Sequence, residues 1–169
     1  VSDEILNGKL SQSKELITQS ICQALEVNSA SIKLFNQQRT QLIQFASFNR
    51  SGSENNIPWL QETIPDFFTA IERKAIFCVD DAQQHPYLAP IKESYLQPFS
   101  VKAMLCVLIP ASSGSIGIVC AEQDIVRTWS HNEESFLIAV GALIGSLYSS
   151  QQRIETEAQL VRAKEAAEQ

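Results

Sequence analysis

Apolar residues near the start of the chain recur with the spacing of an amphipathic helix. Between residues 5 and 27 they step by three or four positions, or by multiples of these steps, which brings them to one side of a helix. They are Leu6, Leu10, Ile17, Ile21 and Leu25. The pattern predicts a first helix over residues 5–27.

Shorter apolar runs follow the predicted first helix. The segment SIKLFNQQRTQLIQFASF (31–48) holds two runs rich in Ile, Leu and Phe around a polar NQQRT turn, which predicts a β-hairpin. The cluster NRSGSENN (49–56) has no periodicity and predicts an exposed loop. Pro65 suits the first turn of a helix, where its missing N–H costs no hydrogen bond, so PDFFTAIERK (65–74) predicts a short helix.

The middle of the chain is interrupted by prolines. The β-branched and aromatic residues of AIFCVDD (75–81) predict another strand. Pro86, Pro90 and Pro98 then leave room only for loop and one short helix at residues 91–97.

Two nearly unbroken apolar runs, KAMLCVLIP (102–110) and SIGIVCAEQ (115–123), flank the turn ASSG (111–114). Continuous hydrophobicity indicates strands covered on both faces, so these runs predict the central strands of a sheet. The two terminal helices are expected on one face, and the short segments 65–74 and 91–97 on the other. Because short turns join the strands, the sequence predicts an α/β (α+β) fold with a mostly antiparallel sheet of five to six strands.

The last element begins with a capping box, in which Ser130 and Glu133 reciprocally satisfy free N–H groups at a helix start. Apolar positions then alternate steps of three and four residues, the 3.5-residue seam of a coiled coil. The seam comprises Leu137, Val140, Ile144, Leu147, Gln151, Ile154, Ala158 and Val161, and the polar Gln151 interrupts its apolar stripe. Beyond Ser150 the flanks become polar and only the narrow stripe remains. This pattern predicts a domain over residues 1–152, a signalling helix over 153–169, and a homodimer formed through the terminal helices.

Composition narrows the classes of partner. The chain of 169 residues has a formal net charge of −6 and a pI near 4.9, without the basic stripe of nucleic-acid-binding proteins. Its longest apolar stretch, FLIAVGALIGSL, is too short to span a membrane, and its first ten residues are polar and acidic, unlike a signal peptide. We therefore expect one cytoplasmic domain without membrane contact.

The cysteines show no metal or disulfide spacing. Cys22, Cys78, Cys106 and Cys120 form no CxxC pair, and only two histidines are present. Free cysteines are often buried in cores, so reduced core thiols are expected. Neither a structural zinc site nor any other metal site is predicted.

The order of elements resembles a GAF domain, the small sensory module of signalling proteins, over residues 11–152. The resemblance rests on the strand GSIGIVCAE with Gly117 and on the turn VDDAQQHP (79–86). It also rests on the helix start W-S-x-x-E-x-x-F, formed by Trp129, Ser130, Glu133 and Phe136. These motifs are architectural, and no catalytic residue is expected in the domain.

The resemblance implies a pocket between the sheet and the middle segment, residues 58–99. The candidate lining residues are Trp59, Phe67, Phe77, Tyr87, Tyr95 and Phe99, with Phe68 nearby. Such rings could close over a small effector of unknown identity. The alternative is that they simply fill the core on that face.

The ligand classes of the family can be compared with the sequence. Attachment of a bilin commonly uses a Cys followed by His, which does not occur here, and the Asn-Lys signature of cyclic-nucleotide binding is also missing. Haem would need His85 as an axial ligand, but its position in the sequence is typical of a turn residue.

A GAF-fold methionine sulfoxide reductase would need reactive thiols. Cys106 and Cys120 lie in apolar strands, and Cys78 is close to Asp80, so inert thiols and no cofactor are expected.

The tail AQLVRAKEAAEQ (158–169) resembles the linker helix that precedes the kinase core of bacterial sensor histidine kinases, including hybrid ones. Linkers before diguanylate cyclase domains look similar, and a solvated helix with salt-bridge spacing is a further reading. Three functions therefore stay open: an effector-binding sensory domain before a kinase, a ligand-free dimerisation and signal-transmission module, and a redox enzyme.

Overall fold

The secondary structure follows the rhythm of apolar runs and breakers. The computed structural model describes residues 8–53, 55–112 and 114–169. In chain order its elements are helix α1 (Lys9–Leu25), strands β1 (Ser29–Phe35), β2 (Gln41–Asn49) and β3 (Trp59–Leu60), helix α2 (Pro65–Lys74), strand β4 (Ile76–Val79), short helical turns (Ala82–Gln84, Pro86–Ile91 and Lys92–Leu96), strands β5 (Ala103–Ala111) and β6 (Gly114–Gln123), and helix α3 (His131–Ala167).

Within the described residues the strands form one six-stranded sheet in the order β3-β2-β1-β6-β5-β4. Every pair of neighbours in it is antiparallel, which confirms the predicted sheet. The prediction that both long apolar runs are central strands is correct for β6. The other run, β5, is an interior strand but lies one position from the edge of the sheet, beside the short edge strand β4. The centre is completed by β1, because its residues are buried on both faces from Ala30 onward.

The two faces of the sheet carry separate hydrophobic clusters. On one face, α1 and α3 pack against the sheet through side chains such as Ile21, Ile32 and Ile144, each with none of its surface exposed. On the other face, α2 and the helical turns pack through residues such as Phe67 and Leu96. The predicted division between terminal helices and short segments is confirmed.

The terminal helices lie side by side and run in opposite directions. The end of α1 lies near the start of α3, where the Arg127 guanidinium donates to the Leu25 carbonyl at 3.4 Å. The start of α1 lies near the middle of α3, where the Lys9 amide donates to Gln151 Oε1 at 3.4 Å. The predicted start at residue 5 lies outside the described residues. At the other end Glu26 adopts a left-handed conformation (φ 55°) that terminates the helix.

The middle segment is more helical than expected. A single helix at residues 91–97 was predicted, and this prediction is wrong in its extent: two 3₁₀ turns precede a π turn over Lys92–Leu96. Pro86 begins the second 3₁₀ turn and Pro90 lies inside it. Because proline has no N–H to donate, a regular α-helical ladder cannot run through this stretch.

The start of α3 is fixed to the sheet. The predicted capping box is confirmed: the Ser130 hydroxyl accepts from the Glu133 amide at 3.1 Å, and the Ser130 amide donates to Glu133 Oε1 at 2.8 Å. Arg127 forms an ion pair with Glu133. Trp129 Nε1 donates to the Val79 carbonyl at 3.0 Å.

None of the described helices is both long enough and apolar enough to cross a membrane.

Candidate functional site

The face opposite the terminal helices brings most of the candidate aromatic residues together. The rings of Trp59 and Phe67 meet edge to face with centroids 5.3 Å apart, and Phe67 meets Phe77 in the same way at 5.0 Å. The Trp59 and Tyr95 centroids are 5.4 Å apart, and those of Tyr95 and Phe99 are 5.5 Å apart. These five rings form one continuous network between the sheet and the middle segment.

Most of these rings pack against each other and leave little space between them. Trp59, Phe67, Phe77 and Tyr95 are buried, and Phe99 is partly buried. Tyr87 is 39% exposed at the edge of the network, with its centroid 6.3 Å from that of Phe77 in a stacked arrangement. The aromatic residues therefore act mainly as core, and the features of a binding site must be sought in the polar groups beside them.

A buried polar cluster lies next to the aromatic rings. Lys33 on β1 and Glu122 on β6 are only 2% and 3% exposed. The Tyr95 hydroxyl lies 2.7 Å and 2.8 Å from the two carboxylate oxygens of Glu122 and donates to them. Lys33 Nζ donates to Gln44 Oε1 at 3.3 Å and lies 4.8 Å from the Trp59 ring centroid. Buried charges are costly unless they have such partners.

The sequence-based candidates did not include the polar cluster, although a signal was present. Strands that are covered on both faces are expected to be apolar throughout, so Lys33 and Glu122 are anomalous within β1 and β6. Side chains alternate between the two faces of a strand, so Ser31 shares a face with Lys33. The aromatic residues indicated the correct face of the sheet, but they did not indicate Lys33 or Glu122.

Burial shifts the titration of the Tyr95–Glu122 pair. It raises the pKa of Glu122 above its usual value of 4.5, against the opposing effects of the Lys33 charge and the Tyr95 hydrogen bonds. Burial and the neighbouring Glu122 carboxylate also raise the pKa of Tyr95 well above 10.0. The phenol therefore stays protonated at neutral pH and remains the donor of the pair.

Several buried polar atoms around this cluster have no hydrogen-bond partner among the described residues. They are Asn28 Oδ1, Ser31 Oγ, Trp59 Nε1 and Gln123 Oε1. A buried polar group without a partner costs free energy, commonly about 1–3 kcal/mol. Ser31 can therefore offer its hydroxyl to a small polar molecule.

A small cavity of about 30 Å³ lies between β1, β2, β6 and the turn after Tyr95, and the residues that carry three of the unpartnered atoms, Asn28, Ser31 and Gln123, line it. That is room for about one or two water molecules. Among its lining residues are Ser31, Tyr95, Phe99 and Glu122. The lining is polar on the sheet side and aromatic at the turn, so the site can hold a small polar group in a fixed orientation.

The exposed Cys78 and the turn residue His85 offer little chemistry. Partial burial of the sulfur raises the pKa of the Cys78 thiol to about 11, helped by the negative charges of Glu134 and Asp80, so its thiolate is scarce at neutral pH. The amide of Tyr87 donates to His85 Nδ1 at 3.1 Å, and burial lowers the pKa of this imidazole. No group of three or more candidate metal ligands occurs in the part of the chain that the structure describes.

The predicted signalling residues fall into two sets along α3. Ile144 is buried against the sheet, and Leu147 is partly buried in the same cluster. Gln151 contacts the start of α1. Beyond it Ile154 and Val161 are 58% and 55% exposed. Ala158, between them, is also exposed.

An antiparallel sheet with terminal helices on one face, and a small polar cavity beside short helices on the other, defines an α+β domain. The chain belongs to the GAF domain family, since the GAF domain model matches residues 12–147. No curated protein matches the chain significantly.

Solved structures share this fold at low sequence identity. The blue-light absorbing form of the PixJ GAF domain from Thermosynechococcus elongatus is 14% identical, with a TM-score of 0.81 over 96% of this chain and 98% of that one. The GAF domain of an Acinetobacter phosphoenolpyruvate-protein phosphotransferase is 16% identical, with a TM-score of 0.68 over 91% of each chain. The protein JSC1_58120g3, solved in its far-red absorbing dark state with bound biliverdin IXa, is 16% identical, with a TM-score of 0.71 over 89% of this chain and 96% of that one.

A prediction about pH follows from the raised pKa of Glu122. A carboxyl group whose pKa is higher in the folded than in the unfolded state stabilises the fold fully below the unfolded pKa and loses that contribution as pH rises through the folded pKa. Tyr95 and Lys33 are the polar groups that face it. We expect Glu122→Gln to gain stability relative to the wild type as pH rises above 4.5. Urea denaturation of both proteins over this range measures the difference, and parallel stability profiles would contradict the prediction.

Proposed function

We propose that the chain is the sensory or regulatory domain of a multidomain bacterial signalling protein, with a sensor histidine kinase as output. In this proposal the domain acts without catalysis of its own and relays a signal through dimeric α3. One observation supports it most: α3 extends to Ala167, and its seam residues Ile154 and Val161 are more than half exposed. A cytoplasmic location is part of the proposal, and the free thiols of the domain suit a reducing compartment.

The proposed input is a small polar effector at the buried polar cluster. Ser31 and Glu122 line the cavity, and Ser31 Oγ lacks a partner among the described residues. Recognition by a few fixed polar groups in an apolar surrounding is typical of small-molecule sites. A bilin like the biliverdin of the structural neighbour does not fit, because the cavity measures about 30 Å³ and no cysteine precedes a histidine.

The alternative of a ligand-free module is favoured by the tight packing of the rings. With Trp59, Phe67 and Phe77 buried in contact, the input would then be motion of a partner domain. Native mass spectrometry of the purified domain distinguishes the two readings. A retained small molecule that is lost in a Ser31→Ala variant supports the effector, and a mass equal to the bare chain supports the ligand-free module.

The proposed output is a parallel pair of α3 helices. Seam residues Ile154 and Val161 are more than half exposed, and their polar flanks leave a narrow stripe that a second copy can cover. Coiled-coil registers are discrete, so a small rotation of α3 can select between two output states. Gln151 lies at the point where α3 passes the start of α1. A polar residue in a coiled-coil seam can fix the register of the two helices. Replacing it with Leu is expected to strengthen the dimer and lock the output.

The dimer can be tested with matched aspartate substitutions. Ile154→Asp combined with Val161→Asp should weaken the dimer on the order of 100-fold or more, because two apolar side chains per subunit lose their burial. Leu160 is 66% exposed but lies about 100° around the helix from its neighbour Val161. Leu160→Asp therefore adds the same charge on a different face and should leave the dimer intact. Sedimentation velocity over a concentration series measures both.

The outcome against the proposal is a wild-type protein that stays monomeric at all concentrations, or equal weakening by Leu160→Asp. The nature of the output needs the full-length protein. Autophosphorylation on histidine supports the kinase, and cyclic dinucleotide synthesis would replace it by a diguanylate cyclase.

A further inference from the structure

Cys106 and Cys120 lie directly opposite each other on the neighbouring strands β5 and β6. Their sulfur atoms are 2.8 Å apart, and both side chains have none of their surface exposed. The pair belongs to the cluster on the cavity face, together with Tyr95. These thiols are fourteen residues apart in sequence, so only the strand register brings them together.

The strand geometry suits a disulfide between these thiols. Opposed residues of antiparallel strands have Cα atoms about 4.5–5.5 Å apart. Disulfides span Cα separations of about 4.4–6.8 Å and have a bond of about 2.05 Å. Closing the present gap therefore requires a sulfur displacement of less than about 1 Å, which side-chain rotation can supply without moving the strands.

We propose that Cys106 and Cys120 form a peroxide-sensitive dithiol inside the domain. One thiolate attacks the O–O bond of hydrogen peroxide, becomes a sulfenic acid and releases hydroxide. The second thiol attacks that sulfur, the S–S bond forms, and water leaves. In total two thiols and one hydrogen peroxide give one disulfide and two waters, so the sulfur atoms lose the two electrons that the peroxide gains.

The cavity brings a small oxidant to a residue that neighbours the pair. Cys120 is the register partner of Ser31, which lines the cavity. Hydrogen peroxide is close to water in size and enters where about one or two waters fit. A bulky disulfide such as oxidised glutathione cannot reach sulfur atoms that are fully buried. The proposed response is therefore selective for small neutral peroxides.

The buried surroundings of the two thiols make their oxidation slow. The disulfide is therefore expected to form where peroxide accumulates. Burial raises the pKa of Cys106 well above 9.0, and Cys120 and Glu122 add to the effect, whereas the Lys33 charge lowers it. Only the thiolate reacts, so the rate follows its small population. The disulfide would link β5 to β6 beside the Tyr95–Glu122 pair and stiffen the centre of the sheet.

The test uses the reduced protein with Cys78→Ser, which removes the exposed thiol and with it cross-linking between molecules. The protein is treated under native conditions with hydrogen peroxide or with oxidised glutathione, then unfolded, alkylated and mapped by mass spectrometry. We expect a Cys106–Cys120 disulfide with peroxide, the loss of two hydrogens from the intact mass, and at least tenfold slower formation with glutathione disulfide. Cys22 should be alkylated in full, because it is buried away from this face.

Three results would overturn the proposal: three free thiols after peroxide, sulfinic acids without a cross-link, or equal rates with both oxidants. A Cys120→Ser variant should show no mass loss of two hydrogens. If that variant does not fold, the mapping of the Cys78→Ser protein still decides the question, because it requires no change at the pair itself.

Discussion

Gly145→Ala is expected to lower the free energy of unfolding by about 3 kcal/mol, although it adds one methyl group. A Cβ atom at residue 145 would overlap the carbonyl oxygen of Pro110 on β5. Pro110 O belongs to the backbone of a sheet strand and cannot rotate away. Helix α3 would have to lift from β5, and the contacts of its neighbour Ile144 would loosen with it.

Gly141→Ala is the matched control in the same helix. A Cβ atom at residue 141 would meet its nearest neighbours, the Leu108 carbonyl oxygen and Val107 Cγ1, at 3.5 Å, which is ordinary contact. Because alanine is a better helix former than glycine, this variant is expected to gain about 0.5–1 kcal/mol. The two substitutions are chemically identical, so the opposite signs isolate the close approach of α3 to β5.

Urea denaturation of the wild type and both variants measures these free energies. Equal effects at residues 141 and 145 would show that α3 does not lie as close to β5 as described. The result also bears on signalling, because the proposed rotation of α3 must be accommodated at the Gly145 contact. A variant that separates α3 from β5 while leaving the seam residues unchanged is therefore expected to alter the output of the full-length protein.

The fold could be predicted where the relevant interactions are local. The capping box at Ser130 and Glu133 joins residues three apart, and the hairpin of β1 and β2 joins two neighbouring runs. The long seam on α3 shows a limit of such reasoning. Its first half packs on the sheet through Leu137 and Ile144. A 3.5-residue repeat alone therefore cannot separate an intramolecular face from a dimer seam.

The candidate site was harder to predict because its residues meet across strands. Lys33 and Glu122 share a face only because β1 pairs with β6 in one register, and Cys106 faces Cys120 for the same reason in β5 and β6. Nothing in the local sequence sets that register. Aromatic residues were visible as a group because they are close in sequence, whereas Lys33 and Glu122 were visible only as local exceptions in two apolar strands.

Tyr95→Phe is expected to cost about 2–3 kcal/mol of folding stability at neutral pH. The variant keeps the ring, and with it the contacts to Trp59 and Phe99, but removes both hydrogen bonds to Glu122. The buried carboxyl group of Glu122 bears most of this cost, since a buried polar group left without its hydrogen-bond partner costs about 1–3 kcal/mol.

Two comparisons show whether the loss belongs to the Tyr95–Glu122 pair. Tyr87→Phe removes the same atom from a ring that is 39% exposed, and it should change stability by less than about 0.5 kcal/mol. In a Glu122→Gln background, Tyr95→Phe should cost about 1–2 kcal/mol less than in the wild type, because the amide keeps only one of the two oxygens that accept from Tyr95. Additive effects in this double-mutant cycle, or equal costs at both tyrosines, would mean that the buried carboxylate does not depend on Tyr95. Lys33 would then stabilise the buried Glu122 side chain more than Tyr95 does. A Lys33→Met variant would in that case lower the free energy of unfolding more than Tyr95→Phe.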